Sequence, residues 1–286
     1  MAEPVAICVE YPPCPALRLF VHSYWSVTFG EAERNRPANL REVDGVCESR
    51  LSLSDPLLSR FLPDGRVVIV FHLGGPWSYA RLSGNLPDPG RGQVIGAITE
   101  PILVGYGRPV ESFGATFHPG QAPLFLNTPA SELTDRITSL DCFWGPEAHR
   151  LETQLGELPS AAGRIRALEQ ELLKRLDGSR LSDARVHRIA DLIWQRRGAV
   201  TVESMSHASG VSRQHLARQF RQYVGFGPKL YCRVARFHAL LGEAVVRRQV
   251  QWADAATDLG YYDQAHLIAD FKEFTGLTPS AFFPPR

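Results

Sequence analysis

No run of apolar residues in the 286-residue sequence approaches the ~20 needed to span a bilayer. The first fifteen residues, MAEPVAICVEYPPCP, lack both a basic n-region and a long apolar core, so no signal peptide is expected. The five cysteines (Cys8, Cys14, Cys47, Cys142 and Cys232) are odd in number and scattered, with no CxxC pair. That pattern argues against a disulfide framework and against a zinc site, and it fits reduced thiols in a cytoplasmic protein. Nothing basic surrounds Cys47 or Cys142 to mark a thiolate nucleophile. GxSxG, a P-loop, GxGxxG after a strand, His-x-His and His-x-x-x-His are all missing. The sequence therefore predicts neither an enzyme nor a bound metal or cofactor. His22, His72 and His118 fall in or beside predicted strands without ligand spacing, and read as core or hydrogen-bonded histidines.

A chain of this length holds about two domains. Apolar residues make up 44% and charged residues 21%, as in an ordinary folded protein. The net charge of +1 hides an asymmetry. Residues 183–286 carry fourteen Lys/Arg against nine Asp/Glu, whereas residues 1–182 carry seventeen against twenty-one. A basic C-terminal part beside an acidic N-terminal one suggests that only the former meets a polyanion.

The first ~118 residues read as short strands broken by Gly/Pro turns, which predicts a small sandwich or barrel. The strand candidates are Leu17–Phe29, Arg66–Leu73, WSYARL, GQVIGAIT, ILVGYG and ESFGATF. Helical spacing begins after Pro119, over Leu124–Leu140, Pro146–Leu155 and Ala161–Leu176. In the last of these, Ile165, Leu168, Leu172 and Leu176 form one apolar stripe. A short linker follows, and Ser182 would cap a helix Asp183–Arg196 with Val186, Ile189 and Ile193 facing inward. Everything beyond is helical by pattern. The fold class is α+β, with a β-rich domain over 1–176, a linker over 177–182 and an all-α domain over 183–286.

One pattern occurs twice in the C-terminal domain. SGVSRQHLARQFRQYVGFGP (Ser209–Pro228) and LGYYDQAHLIADFKEFTGLTP (Leu259–Pro279) superpose on a shift of 51 residues. The shift matches His215 with His266, Leu216 with Leu267, Phe220 with Phe271, Gly225 with Gly276 and Pro228 with Pro279. Only the turn before each copy differs, by one residue after its glycine (Gly210, Gly260). Such a period means one supersecondary unit used twice. Each copy reads as helix, short turn with Gly, helix, the helix-turn-helix pattern.

In the first copy a short helix over Val202–Ser209 ends at Gly210, and Ser212 caps a second helix running to about Val224. Leu216, Phe220 and Tyr223 would be its buried stripe. The opposite face offers Arg213, Gln214, Ala217, Arg218 and Arg221, donors suited to base edges and phosphates in a major groove. In the second copy Leu267, Phe271 and Phe274 face inward, while Asp263, Gln264, Ala265, Ile268, Ala269 and Lys272 face out. Ala265 and Ala269 stand where Gln214 and Arg218 stand in the first. The first unit would therefore read bases and the second would mainly position the protein, with Ile268 available to a thymine methyl. Lys229–Arg247 would be a rod of roughly 28 Å, able to hold two recognition helices near one DNA turn apart. His215 and His266 are expected to pack the turns rather than to act as ligands.

The motifs ASGVSRQHLARQF, VGFGP and AATDLGYYDQAHLIADFKEFTGLTP resemble AraC/XylS-type transcriptional regulators, over about residues 183–284. The resemblance implies seven helices with two helix-turn-helix units in successive major-groove segments of double-stranded DNA. By position, its base-contacting sites fall on Arg213, Gln214, Ala217 and Arg218, then on Gln264, Ala265, Ile268 and Ala269. FLPDGRVVIVFHL and the FHPG…LFLNTPASELTDR stretch are similar to a sensor domain carried by some of these regulators. That implies a small-molecule effector in the β-rich domain, where Trp25, His72, Trp77, Tyr79 and Tyr106 are the pocket candidates, Tyr79 from its aromatic character alone. It further implies a homodimer through Ala161–Leu176, an ordinary core stripe being the alternative, and it allows RNA polymerase as a partner. The competing functional reading is an N-terminal enzyme or interaction domain recruited to DNA by the helix-turn-helix units.

Overall fold

Alternating apolar strands build the N-terminal half into two six-stranded antiparallel sheets packed face to face. The computed structural model describes residues 5–30, 46–47, 50–52, 58–75, 77–81, 84–86, 88, 90–176, 184–247 and 252–283. In chain order the strands are β1 (Val5–Tyr11), β2 (Val21–Gly30), β3 (Val46–Cys47), β4 (Arg50–Ser52), β5 (Leu58–Phe61) and β6 (Val68–His72), then β7 (Trp77–Arg81), β8 (Gly84–Leu86), β9 (Gly92–Ile95), β10 (Ile102–Tyr106), β11 (Glu111–Phe117) and β12 (Ile137–Ser139). One sheet runs β1-β2-β11-β6-β9-β12 and the other β3-β4-β5-β10-β7-β8. The sandwich is one of the two arrangements expected from the turn spacing, and β6, β7, β10 and β11 fall within the predicted runs.

The predicted strand over Leu17–Phe29 begins late. Leu17 lies in a turn, wholly buried, and β2 starts at Val21. The helix expected over Leu124–Leu140 does not form. Pro123 and Pro129 instead open two four-residue helices, α1 (Pro123–Leu126) and α2 (Ala130–Leu133), and β12 follows. Asn127 and Asp135, at φ 51° and 58°, end the two turns in the left-handed region. Pairing of Ile137 with Ile95 and Ser139 with Gln93 then gives the segment backbone partners that a helix would have supplied locally.

The outer face of the first sheet carries Ile69, Phe71, Val94, Phe113, Ala115 and Phe117. Helices α3 (Asp141–Trp144), α4 (Pro146–Glu157) and α5 (Ala161–Arg175) cover it. Leu168 and Leu172 of α5 are completely buried there. The α5 stripe therefore packs as core within the chain, the alternative weighed for it above. Arg164 fixes the helix, with an ion pair to Glu111 at 2.6 Å and hydrogen bonds to the Leu155 and Leu158 carbonyls.

Among the described residues the C-terminal part contains helices and no strand: α6 (Ala184–Gln195), α7 (Val202–Ser209), α8 (Arg213–Val224), α9 (Pro228–Arg247), α10 (Trp252–Asp258), α11 (Gln264–Thr275) and α12 (Pro279–Phe282). These are the seven helices implied by the resemblance. Val186, Ile189 and Ile193 face inward as the spacing predicted, while Ser182 and the linker 177–182 lie outside the described residues. The core of this half also contains two residues from the other one. Leu62 and Ala97, both fully or almost fully buried, belong to the same hydrophobic cluster as Phe220, Tyr231 and Phe237.

Candidate nucleic-acid interface

Each recognition helix is set by a turn whose chemistry can be read residue by residue. Gly210 takes φ 68° after α7, and the Ser212 hydroxyl then accepts a hydrogen bond from the His215 N–H at the start of α8. In the second unit the Asp263 carboxylate accepts from the His266 N–H at 2.7 Å. Both caps satisfy an amide that the first helical turn leaves without a partner. Ser212 and Asp263, expected at the DNA surface, are exposed there but commit one oxygen each to the helix.

On α8 the side chains of Arg213, Gln214, Arg218 and Arg221 are exposed, and Ala217 is half-buried between them. Leu216, Gln219, Phe220 and Val224 face inward, so the expected place of Tyr223 in the stripe is taken by Val224, and Tyr223 is only half-buried. The difference follows from the 3.6-residue period, in which both i+7 and i+8 approach the apolar face. Two of the exposed arginines are already oriented. Arg213 pairs with Glu203 at 2.6 Å, and Arg218 bonds the His215 ring Nδ1 at 3.0 Å. The Arg213 guanidinium and the Glu203 backbone amide hold the Glu203 carboxyl below its ordinary value, the amide contributing more.

The second unit presents a barer helix. Gln264, Ala265, Ala269 and Lys272 are exposed on α11, Ile268 is half-buried against the core, and Leu267, Phe271 and Phe274 are wholly buried. Ile268 thus divides its surface between the core and solvent, less free than the sequence suggested. His266 stacks edge-on against Tyr261 of its turn at 5.3 Å between ring centres, whereas the His215 ring bonds Arg218 one turn along α8.

The rod α9 ties the two units together. It extends over 20 residues, roughly 30 Å at 1.5 Å per residue. Its apolar stripe buries Val234, Phe237 and Leu241; the side chain of Val245, expected there as well, lies outside the described residues. Arg233 binds Asp270 of α11 at 2.8 Å and Glu273 at 2.6 Å, with its guanidinium over the Phe274 ring. Arg236 donates to the Gly260 carbonyl at 2.9 Å and lies over the Tyr261 ring. Asp270 is almost fully buried, so the ion pair both neutralises it and fixes the second helix on the rod.

A seam the sequence did not reveal joins these helices to the sandwich. The turn Pro63–Arg66, just before β6, inserts against α9 and α6. The His238 ring Nε2 donates to the Pro63 carbonyl at 2.7 Å, and the Arg66 guanidinium lies over Trp194. A Cβ on Gly225, at the end of α8, would stand 2.5 Å from the Thr134 hydroxyl and 3.6 Å from Ala97. Three imidazoles cross the same boundary in a row, His22 on β2, His118 after β11 and His187 on α6, with ring centres 5.2 and 5.7 Å apart. Burial, with Arg66 and then His118, pushes His22 down to about 3. Burial first, then His187 and Arg66, also lowers His118. Among the described residues no group of three acidic, histidine or cysteine side chains could hold a metal ion.

The effector candidates sit between the two sheets. Trp25, His72 and Trp77 are buried in one cluster, and His72 stacks on Trp77 with ring centres 3.8 Å apart. The His72 ring bonds the Ser112 hydroxyl at 3.0 Å and the Tyr79 hydroxyl at 2.7 Å, while the Trp25 indole donates to Thr116. Gly114 admits the Trp25 ring, since a Cβ there would lie 2.4 Å from it. Tyr106 pairs in register with Trp77, but its side chain is outside the described residues. Cys142 is exposed with its thiol pushed up by desolvation and by Asp141, which favours the unreactive thiol form expected from its surroundings. The side chain of Cys47 lies outside the described residues.

Residues 205–284 match the family model of a helix-turn-helix domain, and residues 9–139 match that of a domain of unknown function. No curated protein matches the chain. Among solved structures, ToxT from Vibrio cholerae O395 is similar at 8% identity and a TM-score of 0.41, over 79% of this chain and 95% of that one. Wild-type ToxT of strain SCE256, solved with a bound unsaturated fatty acid, is similar at 8% identity and a TM-score of 0.42, over 79% of this chain and 93% of that one.

Proposed function

We propose that the chain is a DNA-binding transcriptional regulator of the AraC type, a reading supported by the helix-turn-helix model matched over residues 205–284 and by the two capped turns, and that its parts divide the work. The α8 face reads bases, with Arg213, Gln214 and Arg218 toward the major groove and Arg221 toward phosphate. The α11 face positions the second unit, through Gln264 and Lys272, with Ile268 at its margin. In this reading the matched domain binds DNA rather than catalysing a reaction, and no helix of the described residues is long and apolar enough to cross a membrane. We place the domain boundaries at 1–176 and 183–286, with the linker between.

The sandwich is the sensor in this reading. Its interior holds hydrogen-bonding groups among aromatic rings (His72, Tyr79, Ser112, Thr116 and Trp25), the composition of a small-molecule site. Such a site affects DNA binding only if the two halves are mechanically joined. The observation that carries the proposal is that Leu62 and Ala97 of the sandwich complete the hydrophobic core of the helices. An effector that favours one arrangement of the sheets therefore biases the packing of α8 and α9, to the extent that it binds the two arrangements differently. RNA polymerase and a second copy of the chain are the further partners proposed for such a regulator.

The test is binding of the full chain to duplexes it selects from a random pool, with and without small molecules that copurify with it. A copurifying compound that shifts both DNA affinity and hydrogen exchange at residues 62–66 supports the proposal. One that shifts neither contradicts it.

A further inference from the structure

The turns of the two helix-turn-helix units differ in length by one residue, and that residue is an almost naked aromatic ring. In the first unit Gly210 is followed by Val211, half-buried against the core, and then by the cap Ser212. In the second, Gly260 is followed by Tyr261 and Tyr262 before the cap Asp263. Either turn needs one apolar side chain to close the angle between its helices. Tyr261 fills that role: it is 6% exposed, with the Arg236 guanidinium 4.9 Å from its ring centre and His266 edge-on to it. Tyr262 is the extra residue, and it is 92% exposed. Its backbone N–H is held 3.4 Å from the His266 ring Nδ1, so the turn is fixed while the phenol extends outward.

A ring of this size left in water forgoes about 1.5–3 kcal/mol of burial. Its place is telling as well. It immediately precedes the capped N-terminus of a recognition helix, the end that enters the major groove past the phosphate backbone. The helix behind it exposes Ala265 and Ala269 where the first unit exposes Gln214 and Arg218, so the second unit has few groups of its own with which to hold DNA. Tyrosine hydroxyls are among the regular donors to phosphate oxygens, and the ring's flat face suits the apolar side of a deoxyribose.

We propose that Tyr262 is the second unit's anchor on the DNA backbone, its ring packed on a sugar and its phenol O–H donated to a phosphate oxygen at the groove edge. The inference rests on the DNA-binding reading of residues 205–284. A phenol brings no positive charge, so this anchor adds affinity without releasing a counterion, unlike a lysine.

The experiment uses the full chain, a duplex that the wild-type protein selects from a random pool, and an unrelated duplex of equal length. Anisotropy titrations over a salt series compare wild type with Tyr262→Ala, Tyr262→Phe and Arg218→Ala. Tyr262→Ala is expected to weaken both duplexes alike, by about five- to tenfold, with an unchanged slope of log affinity against log salt. Tyr262→Phe should lose part of that, and Arg218→Ala should lose mainly the preference for the selected duplex. Wild-type affinity for both duplexes in the Tyr262 variants would overturn the proposal. A loss confined to the selected duplex would overturn it too, by placing the ring on a base. Failure of the wild-type chain to bind any duplex would instead bring down the DNA-binding reading itself, and with it this one. Circular dichroism of each variant separates these outcomes from unfolding, which a fully exposed side chain should not cause.

Discussion

Gly65 lies directly beneath Tyr231: a Cβ built on the glycine would stand 2.4 Å from the Tyr231 ring carbon Cε2. The glycine also has φ 74°, a conformation that side-chain-bearing residues resist. Two requirements therefore coincide at a single position. The Tyr231 hydroxyl, wholly buried, accepts from the Trp194 indole on α6, so the ring cannot retreat without breaking that bond. Gly65→Ala is expected to cost about 1–3 kcal/mol through overpacking and backbone strain. Urea unfolding of the full chain checks this; an unchanged midpoint would mean that the turn does not press on α9.

Arg218→Ala should cost about 1–3 kcal/mol at the selected duplex and relax base preference at one position. Competition against an unrelated duplex is the measurement. Equal losses on the two would place Arg218 on phosphate instead.

Lys272→Ala acts on charge rather than on sequence. Its affinity should fall alike for all duplexes, and the salt slope should shrink by about one unit. A salt series with wild type and variant decides it, and an unaltered slope would take Lys272 off the backbone.

The row of histidines at the seam predicts how stability responds to acid. His22 is depressed to about 3 and His118 is lowered as well, in both cases by burial first, whereas an unfolded histidine titrates near 6.5. His187 pairs with Asp191 at 3.4 Å, and Arg66 faces the row from the sandwich turn. Below about 6.5 the unfolded chain takes up protons that the folded chain refuses, so stability is fully present above that pH and declines as pH falls toward 3. Thermal midpoints between about pH 7.5 and pH 5 should drop further in wild type than in His22→Gln. Parallel curves for the two proteins would show that His22 is not the proton acceptor.

Much of the C-terminal half was legible because its signals are local. Gly210, Ser212 and the spacing Leu216–Phe220 act within one or two helical turns, and α7 and α8 occur where they were predicted. Apolar spacing over Leu124–Leu140 misled for the opposite reason. Residues 137–139 pair with β9, about forty residues earlier, and Pro129 breaks the helical frame that the apolar residues imitate. The seam was illegible in the same way. Pro63-Asp64-Gly65 reads as an ordinary turn between strands, and nothing near it announces Tyr231 or His238, more than 160 residues away. The surplus Tyr262 could be counted in the sequence, but only its exposure distinguishes it from Tyr261.

Within α9, Tyr231 meets the sandwich turn, Arg233 grips Asp270, and Arg236 caps the turn at Gly260. Three side chains within six residues of one rod thus touch the sandwich and the far helix-turn-helix unit together. The rod is a common bearing: the packing of the sandwich turn and the seating of the far helix are fixed by side chains less than two helical turns apart.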